Sequence, residues 1–167
     1  MKNSKNKHCH FIAVVSDMEA QFGALPAIRV LKYRLNNHVW GLNEGTHNKQ
    51  DLLGDSRLVF YLGGRHLHSQ SFVATALVDK VHNNFPRFEL PKFVDESKWY
   101  YTIPSQKVDL KNIEWFENPL KIKDVLAKMA YFKHKDQNKW WFSLQGGLRK
   151  IAKSDYDLIK AESSKMI

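Results

Sequence analysis

Residues 38–77 limit the folds open to this chain more than any other segment. Two runs, residues 57–62 and 71–79, are rich in β-branched and aromatic side chains and are bounded by turn formers, which is typical of strands. Gly63-Gly64 follow the first run, and glycine lets another group approach the backbone closely. Trp40 and Gly41 precede both runs. We therefore predict an antiparallel strand pair that floors a pocket, with Trp40 as one wall.

The first half of the chain supplies further short elements. An apolar run over residues 10–16 predicts a buried first strand. Pro26 fits the first turn of a helix whose apolar face carries Ile28, Leu31 and Leu35, with Arg29, Lys32 and Arg34 toward solvent. Residues 39–42 are predicted to be extended.

The second half continues the same mixture. We predict strands at residues 98–103 and 107–115, a helix beginning at Asn118-Pro119, a charged loop over residues 133–139, an extended segment at residues 140–144, and a last helix capped by Ser154. The sum is five or six strands with three or four short helices. The predicted fold class is α+β, with a small mixed, barrel-like sheet flanked by short helices rather than a doubly wound sheet.

Composition favours one folded domain in a reducing compartment. The chain has 167 residues, 43% of them hydrophobic, and residues 1–9 form a polar basic arm. Cys9 is the only cysteine, which excludes an internal disulfide and suits the cytoplasm. No apolar run is long enough to span a bilayer, so no membrane partner is expected.

The charge balance points to a polyanion. The net charge of +9 fits either a nucleic-acid partner or a solvated basic surface. Between residues 119 and 153 there are nine lysines and arginines against two acids, interleaved with aromatic residues. This pattern suits contacts to a nucleic-acid backbone. The predicted phosphate-contacting residues are Lys133, Lys135, Lys139, Arg149 and Lys150.

Catalytic and metal chemistry find little support. The histidine pairs at residues 8 and 10 and at residues 66 and 68 lack further ligands at a supporting spacing. No glycine-rich loop has a dinucleotide or phosphate fingerprint, and no serine occupies a glycine-flanked elbow. We therefore expect no cofactor, no metal and no enzymatic activity.

Trp40 has two interpretations. Most tryptophans in a chain like this belong to the core. Trp40, however, abuts Gly41 and precedes a polar segment, where a core residue is less expected. A tryptophan at a pocket mouth can stack on a planar base or enclose a cation.

Several segments together resemble the EVE domain family, in the family's order. The resemblance covers residues 10–162, with residues 163–167 as a tail, and rests on residues 39–42, the Gly54-Asp55 turn, residues 58–64, 72–76, 131–135, 139–141, 145–151 and 154–159. It implies a PUA-like fold related to YTH readers of methylated RNA. It further implies a non-enzymatic reader that binds a modified base, flipped out of DNA or RNA, in an aromatic pocket.

The resemblance also assigns site residues. The base pocket would comprise Ser16, Trp40, Gly41, Leu42, Tyr61, Leu62 and Gly63, with Trp99 as a second cage aromatic. Gln145, Gly146 and Arg149 would lie toward the phosphates. The partners implied are nucleic acid carrying a modified base and an effector nuclease of a restriction or RNA-modification pathway.

Two alternatives belong to other functional classes. One is a DNA- or RNA-processing nuclease that uses His66, His68, Lys133 and Arg149 as acid, base and phosphate clamp, although no spacing compels these residues to meet. The other is a protein-interaction module that retains only the fold.

Overall fold

The computed structural model describes residues 8–20, 23–66, 68–83 and 106–165. Its regular elements are β1 (His10–Val15), β2 (Met18–Ala20), β3 (Gly23–Leu25), α1 (Ala27–Asn36), β4 (Val39–Leu42), β5 (Arg57–Leu62), β6 (Ser71–His82), β7 (Gln106–Lys121), α2 (Ile122–Val125), β8 (Leu148–Ile151) and α3 (Lys153–Ser163). Short 3₁₀ turns cover Lys49–Asp51, Leu126–Lys128, Ala130–Phe132 and Gln137–Leu144.

The larger sheet is mixed and curls into a half-barrel. Its six strands lie in the order β4-β7-β6-β5-β1-β8, while β2 and β3 form a separate hairpin. β1 pairs in parallel with β5, and the remaining neighbours are antiparallel. The predicted α+β class with a small mixed sheet is therefore confirmed.

The sheet has a core on each face. The face covered by α1, here the α1 face, buries side chains such as Phe11, Leu31, Trp40, Phe60 and Leu62. The opposite face, here the α3 face, buries Ile12, Tyr61, Phe72, Phe132 and Trp140 beneath α3 and the 3₁₀ turns. Alternation along each strand explains the division, because successive side chains of a strand point to opposite faces.

A β-bulge adjusts this alternation at the centre of the sheet. Phe60 pairs with Ala74 and Tyr61 pairs with Phe72, so Val73 is the extra residue on β6. The bulge leaves Tyr61 and Phe72 edge to face on the α3 face, with ring centroids 5.4 Å apart.

The two longest helices are fixed by buried or partly buried carboxylates. Asp17 Oδ1 accepts a hydrogen bond from the amide of Ala27 at the start of α1, at 2.8 Å. In α3 the buried Asp155 carboxylate accepts bonds from Ala130 and Tyr131 and so holds the neighbouring 3₁₀ turn. Ser154 lies inside α3 and makes no cap, since Ala152 occupies the N-cap position, so that prediction is wrong. Within the described ranges no helix has the length and apolarity needed to cross a membrane.

Two further element predictions are wrong. Asn118-Pro119 do not begin a helix, because β7 continues through them to Lys121. The ladder with β6 jumps there from Leu120 to Trp115, and a proline is tolerated where no ladder bond is required. Residues 140–144 are not extended but belong to the 3₁₀ turn Gln137–Leu144. The strand predicted at residues 98–103 lies outside the described residues.

Candidate functional site

A pocket opens where β1 and β5 end, on the α3 face. It has a volume of about 460 Å³. Its lining comes from the ends of both strands, from the last 3₁₀ turn and from the loop before β8, namely Val14, Ser16, Tyr61, Gly63, Gly64, Gln70, Trp140, Trp141, Leu144, Gln145, Gly146 and Gly147. A volume of this size is within the range of small-molecule sites.

Three aromatic rings form one wall of the pocket. Tyr61 and Trp140 are buried and meet edge to face at 6.1 Å. Trp140 in turn meets Trp141 edge to face at 5.9 Å, and Trp141 is 46% exposed. Burial raises the pKa of the Tyr61 hydroxyl well above its ordinary value, so it stays neutral at physiological pH. The wall thus consists of two fixed rings and one ring available to a ligand.

The wall is held in place by the segment packed behind it. Tyr131 donates its hydroxyl hydrogen to the carbonyl of Ser143 at 2.7 Å, which ties two 3₁₀ turns together. The first of these turns is the one that Asp155 binds through two amides. Residues of α3 therefore position Trp140 and Trp141 although they do not line the pocket.

Glycines allow the rim of the pocket to close tightly. Gly64 has a φ of +82°, and a Cβ there would lie 2.5 Å from the Asp17 carboxylate. Gly146 has a φ of +92°, and a Cβ there would lie 2.6 Å from the His47 ring. The backbone at Gly147 is anchored by a 2.7 Å bond from the Val14 amide. A side chain at Gly64 or Gly146 would force the rim to move.

Polar groups are few and lie at the mouth. Ser16, Gln70 and Gln145 are exposed side chains within the lining. A glutamine amide both donates and accepts hydrogen bonds, as does a serine hydroxyl. Such groups can pair with the polar edge of a planar heterocycle whose faces lie against aromatic rings.

Five of the predicted site residues meet in this pocket: Ser16, Tyr61, Gly63, Gln145 and Gly146. Leu62 instead points to the α1 face, because it neighbours Tyr61 on the same strand. Their role in binding a base stays a prediction. Trp99 lies outside the described residues.

The placement of Trp40 requires a correction. Trp40 lies on β4, an edge strand, and is only 4% exposed. Its ring packs 5.1 Å from that of Phe60, and the guanidinium of Arg34 lies over it at 4.6 Å. It therefore belongs to the core of the α1 face and does not line the pocket, and neither Gly41 nor Leu42 does. Arg34, predicted toward solvent, covers this core residue instead.

The predicted phosphate-contacting residues differ in availability. Lys133 and Lys139 are exposed. Lys135 folds back onto Tyr131, with its Nζ 3.6 Å from the ring centroid and 2.9 Å from the carbonyl oxygen. Lys150 pairs with Asp51 at 3.2 Å. The two lysines without such contacts are the better placed to meet a phosphate.

Arg149 lies beside the pocket rim. A Cβ on Gly146 would come within 2.9 Å of its Nη2. Its Nε is buried and has no hydrogen-bond partner among the described residues. Its charge, after burial, lowers the pKa of Lys135. Arg149 thus contributes positive potential next to the mouth of the pocket.

Sequence reasoning missed most of the aromatic wall. Trp140 and Trp141 were assigned to an extended basic segment rather than to the pocket, and Gln70, Leu144 and Gly147 were not singled out. A usable signal was present, because adjacent tryptophans stand five residues before a Gly-Gly pair. That spacing places exposed aromatic surface next to backbone that can be approached closely.

Comparisons with solved structures identify the fold. Neither a protein-family model nor a curated protein matches the sequence. Human THYN1 in complex with DNA containing 5-methylcytosine matches with a TM-score of 0.56 at 11% identity, covering 95% of this chain and 99% of the other. The N-terminal domain of Staphylothermus marinus McrB matches with a TM-score of 0.54 at 12% identity, covering 91% and 93%.

A third structure extends the comparison to RNA. The YTH domain protein mmi1 in its RNA complex matches with a TM-score of 0.50 at 12% identity, covering 92% and 80%. This chain has the PUA-like fold of EVE domains. The fold implied by the motif order is therefore confirmed. At these identities the neighbours establish the PUA-like fold and leave its ligand to be argued from the pocket.

The nuclease alternative gains nothing from the geometry. None of His66, His68, Lys133 and Arg149 lines the pocket. His66 lies 3.5 Å from Asp17 through its Nε2. In the part of the chain that the structure describes, no three histidine, cysteine, aspartate or glutamate side chains gather in an arrangement that could hold a metal ion.

Proposed function

We propose that this PUA-like domain is a non-enzymatic reader that binds a single modified base of a nucleic acid in the pocket beside Trp141. The observation that carries the proposal is the composition of the pocket. Aromatic rings form its wall, glutamine amides lie at its mouth, and Tyr61 is the only titratable side chain in its lining. Because the pKa of Tyr61 is raised, the lining offers no general acid or base at neutral pH.

The energetics fit a flipped base. Taking a base out of a stack costs a few kcal/mol, and stacking on an aromatic side chain returns about 1–3 kcal/mol per base. Trp141 supplies an accessible stacking surface, and Ser16, Gln70 and Gln145 supply partners for the polar edge. The excess positive charge of +9 adds attraction to the phosphates.

A modification would be recognised on the apolar side. Val14 and Leu144 line the pocket next to the rings. Burying one methyl group there contributes about 0.8 kcal/mol, which corresponds to about fourfold discrimination. Among structures of the same fold, THYN1 is bound to DNA containing 5-methylcytosine and mmi1 to RNA, which supports a nucleic-acid ligand.

The finer assignments belong to the same proposal. DNA and RNA are both candidate strands, an effector nuclease is the proposed partner, and the cytoplasm is the proposed location. The aromatic pocket supports the reader directly and bears on these assignments only through it.

Trp141→Ala tests the proposal. Trp141 is 46% exposed, so its removal is expected to change the melting temperature by no more than a few degrees. We expect affinity for oligonucleotides containing 5-methylcytosine or N6-methyladenine to fall at least tenfold, measured by fluorescence anisotropy against unmodified strands. Trp115→Ala is the matched control, since Trp115 is 40% exposed and lies outside the pocket. Equal binding by the Trp141 and Trp115 variants would rule out the pocket.

A further inference from the structure

A second cavity lies at the start of β1, the opposite end of that strand from the aromatic pocket. Its volume is about 600 Å³. It is lined by residues before and in β1, by the start of β5 and by the junction of β8 with α3, namely His8, Cys9, His10, Arg57, Lys150, Ile151, Ala152 and Lys153. The base reader proposed above makes no use of it.

The cavity carries an excess of positive charge. Arg57, Lys150 and Lys153 line it together with His8. Two carboxylates face these cations, because Lys150 pairs with Asp51 at 3.2 Å and Lys153 pairs with Asp157. Arg57 has no ion-pair partner among the described residues, and its guanidinium lies 5.9 Å from the ring centroid of Tyr156. The balance around the cavity therefore favours an anion.

A buried imidazole in the lining has an unused nitrogen. His10 is 6% exposed, and its ring lies 5.2 Å from that of Tyr156. The Nε2 atom has no hydrogen-bond partner within the described part of the chain. A buried polar atom without a partner costs about 1–3 kcal/mol, which a ligand that accepts or donates a hydrogen bond would recover. Burial and the charge of Arg57 lower the pKa of His10, so the neutral ring can offer an N–H.

A helix start points at the same place. The cavity is lined by Ala152 and Lys153, the N-cap and the first residue of the eleven-residue α3. The N-terminus of a helix carries a partial positive charge and directs amide N–H groups outward. The cationic side chains, the imidazole and the helix start converge on one anion-binding region.

We propose that this second cavity binds a phosphate group carried by a nucleotide or by a nucleic-acid strand. A tetrahedral oxyanion can accept bonds from Arg57, from the His10 ring and from the first amides of α3 together. The cavity is larger than one phosphate requires, which leaves room for an attached nucleoside. β8 connects it to the aromatic pocket, since residues 146–147 line one site and residues 150–151 line the other.

The spacing of the two sites suits a strand. His10 and Ser16 are six positions apart along extended chain, which is about 20 Å at ~3.3 Å per residue. A strand at B-form spacing has about six nucleotides in that distance, at ~3.4 Å each. A free nucleotide would use the second cavity alone.

Calorimetric titration with adenosine 5′-monophosphate, with adenosine as the probe lacking phosphate, tests the phosphate site. The double variant Arg57→Gln/Lys153→Gln is expected to lose at least fivefold in affinity for the monophosphate. Lys32→Gln/Lys123→Gln removes the same charge at exposed positions elsewhere and is expected to change affinity by less than twofold. His10→Phe keeps a ring against Tyr156 and is expected to cost at least threefold at an unchanged melting temperature.

The same titrations contain the outcomes that overturn the proposal. Equal losses in the two double variants would mean that only net charge matters. Loss of monophosphate binding in Trp141→Ala would place the phosphate at the aromatic pocket instead. Because base reading is measured by that tryptophan variant alone, the two sites can fail separately.

A twelve-nucleotide single strand separates the two sources of phosphate. If the strand crosses the cavity, Arg57→Gln/Lys153→Gln lowers the slope of log affinity against log salt by about 1.4, at ~0.7 per single-strand phosphate contact. An unchanged slope together with weakened monophosphate binding assigns the cavity to a free nucleotide.

Discussion

The two faces of the sheet use tryptophan in opposite ways. On the α1 face Trp40 is 4% exposed and is enclosed between Phe60 and Arg34. On the α3 face Trp140 is equally buried but supports Trp141, which is 46% exposed at the pocket. A buried ring stabilises the fold, whereas a ring braced from behind and left open on one side can bind a ligand. What distinguishes them is the segment behind the ring and not the residue type.

The largest expected effect separates the two faces by stability. Trp40→Ala opens a cavity in the α1 core and should lower the free energy of unfolding by about 3–5 kcal/mol. Trp141→Ala should lower it by no more than about 0.5 kcal/mol, because the ring is half exposed. Urea denaturation of both variants measures the difference. Similar losses in the two variants would contradict the division between a structural face and a binding face.

A somewhat smaller effect tests how the binding face is braced. Asp155→Ala removes the buried carboxylate that accepts bonds from Ala130 and Tyr131, and it should cost about 3 kcal/mol because two amide donors lose their partner. Binding should weaken too, since the turn that positions Trp140 loosens. Asp157→Ala, on the exposed side of α3, is the control and should cost less than about 1 kcal/mol. If both variants unfold at the same denaturant concentration, α3 does not brace the wall.

The sequence predicted the fold better than the site, for a physical reason. Strand patterns such as residues 57–62 report local side-chain alternation, and the motif order resembled a known architecture. Trp40-Gly41 looked open because its neighbours are polar, but the curl of the sheet brings Phe60 against the ring, a contact between residues twenty positions apart. Pro119 misled for a similar reason, since the irregular ladder that accommodates it depends on the partner strand.

The aromatic wall was hidden by the same kind of long-range contact. Residues 140–144 have the composition of a strand, yet the buried Asp155 and the Tyr131 hydroxyl hold this region in 3₁₀ turns. Ser16, Tyr61 and Gly63 were placed correctly at the pocket because they end β1 and β5, whose pairing the sequence patterns already indicated.

Within the binding face, a moderate effect should separate stacking from edge recognition. Gln145→Ala removes one amide from the mouth of the pocket and should weaken binding by about 1 kcal/mol, or roughly fivefold, as one hydrogen bond is lost. The loss should depend on the base offered, whereas Trp141→Ala should weaken all bases. Gln50→Ala, at an exposed site outside the pocket, is the control. Anisotropy titrations with several bases measure this, and a uniform loss would assign Gln145 a positioning role only.

The smallest expected effects lie outside the pocket and carry no base identity. Lys133 and Lys139 are exposed, so each is free to meet a phosphate, whereas Lys150 must first leave Asp51. Lys133→Ala and Lys139→Ala should each lower the salt slope of binding by about 0.7–0.9, and Lys150→Ala by less. Modified and unmodified strands should be affected alike, because phosphate contacts position a strand without reading it. Trp141→Ala should do the reverse, leaving the slope unchanged and erasing discrimination. Salt titrations of both strands measure this. A lysine variant that alters base preference at a constant slope would show that the charged loop belongs to the reading site, and the comparison between bracing and binding surfaces would have to be redrawn there.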